Sequence, residues 1–307
     1  MNVNIDNLEH VLSTLNGFES LSNGDLESPD SVYAKTVLKL NGVDFKHRSG
    51  TEGFMSSVKA GATKVYEMIK NFIKAIRDFF FGSKGSKQAK VIDDAVKNTE
   101  KVSKEIMGKR NDKDFDPYRL ERSRIERLMD NEKIKLETDK CETFTRKYSE
   151  DMFTTGIVGS RLKEIPGISI SDLRSKAAQL EEINSRIGVI TEKHATKYFY
   201  NENNERVSIF EATPPLVELQ KLFSKMRAIV TETLAEVTKD LEHNNELAKR
   251  QENSSDIESN LHSDKVKSLC KKLVAVSNNL TSLINYCDAK IIKINQVMEG
   301  VRELISK

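Results

Sequence analysis

Through most of this chain, apolar positions recur three and four residues apart, the spacing that aligns one face of an α-helix. Ile5, Leu8, Val11, Leu12, Leu15 and Phe18 make a first short stripe, with Asp6 or Asn7 as cap and Gly17 as the expected end. Turn dipeptides then crowd between Glu19 and Gly53 (Asn23-Gly24, Ser28-Pro29, Asn41-Gly42, Ser49-Gly50), which predicts a flexible join. From Phe54 to Gly82, Val58, Ala62, Val65, Ile69, Phe72, Ile73, Ile76 and Phe80 share a face opposite Lys59, Lys64, Lys70, Lys74 and Arg77, the pattern of an amphipathic helix. Gly82 is its expected stop, and GSKGSKQAK reads as a short basic hinge. A further helix follows from about Ala89 to Met107 on Val91, Ile92, Ala95, Val96, Val102 and Ile106, and NDKDFDP breaks it.

Pro117 to Tyr148 predicts a highly charged helix with a narrow apolar seam. Ser171 or Asp172 can cap the next, which carries Leu173, Ala177, Leu180, Ile183, Ile187 and Ile190. KYFY and RVSIF flank the polar stretch Asn201 to Glu205, the one good signal for a small β-hairpin. Thr213-Pro214-Pro215 then predicts the start of a long helix reaching about Arg250. The last helix, expected from Ser263 or Asp264, carries Val266, Leu269, Leu273, Val276, Leu280, Leu283, Cys287, Ile291, Ile294, Met298, Val301 and Ile305 in heptad spacing, with one four-residue stutter at Cys287. The two long helices together predict an antiparallel coiled-coil hairpin over about 214–306. Self-association through the last helix is the other use of that seam.

The fold expected is therefore mainly α: an elongated helical bundle with a C-terminal coiled-coil hairpin and one small β-hairpin. Composition agrees, since 37% hydrophobic and 31% charged residues leave little material for a thick core, and 14 Gly with 5 Pro leave few helix breakers. Three parts are expected: an acidic leader with its join (1–52), a basic amphipathic helix and hinge (53–88), and a helical body (89–307). Cys141, Cys270 and Cys287 are widely spaced with no CxxC, which fits a reducing compartment and no zinc site. No run reaches the roughly 18 apolar residues of a membrane span, and the first residues lack a basic signal region. A cytoplasmic start is expected.

Net charge of +2 hides an uneven distribution. Residues 1–52 hold four basic and eight acidic side chains, a net of −4, with no Lys or Arg before Lys35. Phe54 to Lys90 holds eight basic and two acidic, a net of +6.

No reaction is legible. Gly108-Lys109 lacks the rest of a phosphate loop, Ser56 to Lys59 matches SxxK without its companion motifs, and the five His are scattered. No catalytic residue, metal or cofactor is expected, and the chain reads as a non-enzyme. Three uses of the Phe54–Gly82 helix stay open: packing into the chain's own core, lying on a membrane surface, or packing against partner protein or DNA, where its lysines neutralise phosphate without reading sequence.

The order of parts, an acidic amphipathic leader, a join, then VxxxIKxFIKxIRxFFxG from Val65 to Gly82 and a charged helical body, resembles the internal head proteins of large tailed bacteriophages. The resemblance implies a structural virion component, packaged in the prohead with the genome. Its leader (Ile5, Leu8, Val11, Leu12, Leu15, Phe18) would bind scaffold or core proteins and be removed by the prohead protease. Proteases of this kind in jumbo phages cut after a small residue, any residue and Glu. Gly50-Thr51-Glu52 before Gly53 fits that rule, and Gly17-Phe18-Glu19 before Ser20 is a secondary match. The partners implied are capsid or scaffold proteins, the protease and packaged DNA, with transient membrane contact and ejection into the host left open. The location implied is the virion interior, after the host cytoplasm. The alternative is a membrane-surface-associated helical protein outside any virion, anchored by residues 54–82.

Overall fold

The computed structural model describes residues 5–22, 25, 27–43, 51–113, 170–194, 208–252 and 257–306. Of these, 94% are helical, in long helices packed together, and no strand occurs among the described residues. In chain order the helices are α1 (Ile5–Ser22), α2 (Pro29–Leu40), α3 (Thr51–Ile76), a π-turn (Arg77–Phe81), α4 (Ser83–Gly108) with a 3-10 extension to Asn111, α5 (Ile170–His194), α6 (Ile209–Glu252) and α7 (Ile257–Ile305).

The join after the first helix is not simply flexible chain, because it contains α2. Ser28 caps it by accepting from the Ser31 N–H, Pro29 takes the first helical position, where no N–H is needed, and Asp30 and Lys39 suit the two ends of the helix dipole. Asn41-Gly42 is the other cap. Gly42 takes φ +86°, its N–H bonds to Lys39 O, and the Val43 N–H reaches back 2.9 Å to Leu38 O, while Val43 and Leu38 are both buried. That is a Schellman motif. Gly17 does not end α1 either. A Cβ there would lie 1.9 Å from Asp30 O and 2.7 Å from Ala34 Cβ, so glycine is what lets α2 press against the middle of α1.

Other sequence boundaries also move. The GSKGSKQAK hinge is helical from Ser83, and only Gly82 is extended. Helix α6 begins four residues before Thr213, because Ser208 Oγ accepts from the Phe210 N–H and Ser208 O accepts from the Glu211 and Ala212 N–H groups. Pro214 and Pro215 therefore lie inside the helix, where their missing donors fall short of only two carbonyls. Ile209 and Phe210, the end of the expected second strand, belong to this helix; residues 197–207, the rest of that hairpin, lie outside the described residues. So do the expected helix Pro117–Tyr148 and Cys141. Helix α7 starts at Ile257, ahead of Ser263, and α5 at Ile170. Val91 is 56% exposed, while its expected companions Ile92, Ala95, Val102 and Ile106 are buried.

The described residues fall into two compact units that are interleaved in sequence. Among the described residues, the first comprises those within 5–85 and 233–281, and the second those within 86–113, 170–232 and 282–306. In the first, α1 packs on α2 and α3. Val11, Leu15, Phe18 and Leu21 of α1, Ala34, Val37 and Leu38 of α2, and Ala62, Val65, Tyr66, Ile69, Phe72, Ile73 and Ile76 of α3 are buried.

In the second unit, cross-links give the helix directions. Arg186 pairs with Glu218 at 2.6 Å and Lys176 with Glu232 at 3.5 Å, so α5 runs antiparallel to α6. Gln220 bonds Ile291 O and Arg227 pairs with Asp288, so α6 and α7 are antiparallel there. Gln88 bonds Asp288 and Asn98 bonds Asn295, so α4 runs parallel to α7.

The seam expected on α7 is buried from Leu273 to Val301, and a second row is buried beside it: Cys270, Val274, Ser277, Thr281, Ile284 and Asp288. A two-stranded coiled coil buries one narrow seam, whereas a helix with several neighbours buries a wider stripe. Cys270 and Cys287 are buried thiols inside this stripe, and burial pushes the Cys270 thiol up to about 12.

Candidate functional site

Two groups of residues are candidates: the basic face of α3 with its π-turn, and a buried polar ladder in the second unit.

On α3, the apolar row is internal and the charged row is external. Ile69, Phe72, Ile73 and Ile76 are at most 4% exposed, and Phe80 is half-buried. Lys64 is partly exposed and pairs with Glu67 at 2.9 Å, while Lys70 and Lys74 are exposed. Arg77 makes a two-pronged pair with Glu242 of α6, Nη1 to Oε1 at 2.8 Å and Nη2 to Oε2. This contact lowers the Glu242 carboxyl below its ordinary range and raises the Arg77 guanidinium. Tyr66 O accepts from Asn245 Nδ2 at 3.2 Å, a second tie from α3 to α6. The Lys59 side chain lies outside the described residues.

The helix ends on three consecutive phenylalanines. At about 100° per residue they span more arc than an apolar stripe covers, so they cannot all face inward. None of the π-turn residues is buried, and Phe81 is 43% exposed. The rings touch one another, with centroids 4.9 Å apart for Phe79–Phe80 and 6.5 Å for Phe80–Phe81. Two glycines make the corner that follows. A Cβ on Gly82 would sit 2.6 Å from Asp78 O, and one on Gly85 would sit 2.1 Å from Phe80 O.

The two candidate cleavage points differ in setting. Glu52 and Gly53 are the second and third residues of α3, where helix N–H groups have no intrahelical acceptor. Glu19-Ser20 lies within α1 between buried Phe18 and Leu21, with Ser20 Oγ on Asn16 O and Ser20 O accepting from the Asp25 N–H. Among the leader side chains, Val11, Leu15 and Phe18 are buried; those of Ile5, Leu8 and Leu12 lie outside the described residues.

The polar ladder joins α4, α6 and α7. Asp288 is 5% exposed and takes Arg227 Nε on one oxygen and Gln88 Nε2 at 2.7 Å on the other. Burial raises its carboxyl, and Arg227 and Gln88 oppose that shift. One heptad further along α7, Asn295 Oδ1 accepts from Asn98 Nδ2 at 2.9 Å and from Thr99 Oγ1 at 3.2 Å. Gln220, 1% exposed, gives its amide N–H groups to Thr99 Oγ1 at 2.9 Å and Ile291 O at 3.0 Å. Asn98 also reaches Glu299, which pairs with Arg302 at 2.6 Å. Donors and acceptors are matched to one another, an arrangement that fixes helix register and leaves no nucleophile poised against a base.

Sequence reading missed this ladder. Its signal was a seven-residue recurrence of polar positions, Asp288, Asn295 and Arg302 on α7 and Gln220 and Arg227 on α6, flanking the apolar seams.

In the first unit, Asp240 is 9% exposed, and its carboxyl is pushed up to about 6 by burial first and by Glu236 second, against His243 and Lys239. Among the described residues no cluster of His, Cys, Asp and Glu could hold a metal ion, and no helix is long and apolar enough to cross a membrane. No family model matches the chain, and neither does any curated protein or solved structure.

Proposed function

We propose that this chain is an internal head protein of a large tailed bacteriophage. It enters the prohead with its leader in place, the prohead protease cuts after Glu52, and residues 53–307 remain with the genome, available for ejection. The observation that carries the reading is the position of the Glu52–Gly53 bond. It divides a leader of net −4 from a segment of net +6, and it lies in the opening turn of α3, where local unwinding disturbs the fewest hydrogen bonds. A protease needs its substrate extended. Glu52 therefore outranks Glu19, whose bond to Ser20 lies between buried Phe18 and Leu21.

In this reading, α1 and α2 form the targeting element recognised by scaffold or core proteins, and the exposed lysines of α3 meet packaged DNA without sequence preference. The antiparallel links between α6 and α7 support a coiled-coil hairpin over about 214–306 as the body. The membrane-anchor alternative over 54–82 loses ground, because the apolar face it would use is buried at Ile69, Phe72, Ile73 and Ile76.

The test is intact mass and N-terminal sequencing of the protein from purified virions. A species starting at Gly53 is expected, and Glu52→Ala should leave the leader attached in particles. Full-length protein found only in cells, and never in particles, overturns the proposal.

A further inference from the structure

The π-turn at the end of α3 has no role in the reading above. Phenylalanine belongs to the residues most often buried, yet three in succession lie here and none is buried. Val32, Tyr33 and Leu40 on α2, Val91 on α4 and Val189 on α5 are exposed as well, but Phe81 adjoins two more phenylalanine rings in contact.

The charges around the cluster are mostly basic. Phe81 continues the solvent row of α3 formed by Lys70, Lys74 and Asp78, and Lys84 follows three residues later in the first turn of α4. Of the acids in reach, Glu67 is paired with Lys64 and Glu242 with Arg77, leaving Asp78 as the opposing charge on this row. Gly82 and Gly85 hold the turn by close backbone approaches that no other residue permits without a shift, so the aromatic cluster is built into the corner.

From this we infer that Phe79–Phe81 is a shallow membrane-inserting tip, which places its rings at the acyl boundary of an anionic bilayer while Lys70, Lys74 and Lys84 meet the headgroups. Aromatic rings beside lysines suit the bilayer interface, where apolar burial and attraction to anionic lipid add. Duplex DNA fits less well. It would engage the lysines, but its stacked bases offer the phenylalanines nothing. The inference does not depend on the virion reading or on cleavage, because Phe81 is exposed, and Phe79 and Phe80 partly so, with the leader in place.

The chain has no tryptophan, so Phe81→Trp in the full-length protein introduces a single indole. With vesicles of mixed phosphatidylglycerol and phosphatidylcholine, its emission should shift to the blue and be quenched by brominated acyl chains, with little change on phosphatidylcholine alone. A Val189→Trp control should stay unquenched. In vesicle sedimentation of the otherwise native chain, Phe81→Ser should weaken binding about tenfold, and Lys74→Glu with Lys84→Glu more than tenfold, at about fivefold per lysine. Circular dichroism should match the parent for each variant. Three outcomes overturn the proposal: no quenching of the Phe81→Trp protein on anionic vesicles, equal quenching of the Val189→Trp control, or an indole response of the Phe81→Trp protein to a DNA oligonucleotide with none to lipid.

Discussion

Asp288 and Arg227 show how one residue pair can matter more than its surface neighbours. Exposed pairs such as Lys101–Glu105, 3.9 Å apart, contribute little, because water and salt screen them. Removing one partner of a buried pair leaves an uncompensated charge. Arg227→Met should therefore cost about 3–5 kcal/mol in urea unfolding, and adding Asp288→Leu should restore a large part of that loss. Asp240 makes the opposite case. Its folded carboxyl titrates near 6, above the unfolded value of about 3.9. The folded chain thus holds the proton more tightly than the unfolded chain. Stability is lost as pH rises from the unfolded value through about 6, and the full penalty applies above that. Asp240→Asn should raise stability by about 1 kcal/mol at pH 7.5, after allowance for solvent screening, with no gain at pH 3; thermal melts at both pH values check this.

Among elements, those set by apolar spacing were legible and those set by caps were not. Apart from Phe80 and Ile305, the seam residues of α3 and α7 whose side chains are described are buried where their spacing placed them, because burying an amphipathic face dominates helix formation. Helix α2 was missed because Ser28-Pro29-Asp30 and Asn41-Gly42 read equally as turns; at the two ends of an apolar stretch they are an N-cap and a Schellman cap. The polar ladder escaped for a related reason, since Gln220, Thr99 and Asp288 sit beside the seams and a search for apolar residues passes over them. Gly17 looked like a terminator, and only the α1–α2 packing shows it as a contact point. Gly17→Ala should consequently loosen this helix pair by about 2 kcal/mol, seen as faster amide exchange in α2. Gly108→Ala meets nothing within 4 Å in a helical backbone and should be neutral or stabilising by about 0.5–1 kcal/mol.

For the molecule as a whole, the proposed removal of residues 1–52 would change charge and surface together. Net charge moves from +2 to +6, because the 52 departing residues carry −4. The same cut takes away α1, which packs on α3. Residues 53–307 should elute later than the full chain from a cation exchanger and bind more of a hydrophobic dye such as ANS, while keeping most of their helix signal. Binding of the dye by the full chain at the same level would mean that α1 covers nothing of consequence.

The two buried thiols give each compact unit its own clock. Cys270 belongs to the first unit and Cys287 to the second, on one continuous helix, and both are sealed from solvent. Alkylation can reach either sulfur only when its surroundings open. In a Cys141→Ser background, iodoacetamide labelling resolved by peptide mass would time the two openings separately in a single sample. Equal rates would mean that the two units breathe as one cooperative body, and unequal rates would identify the one that yields first.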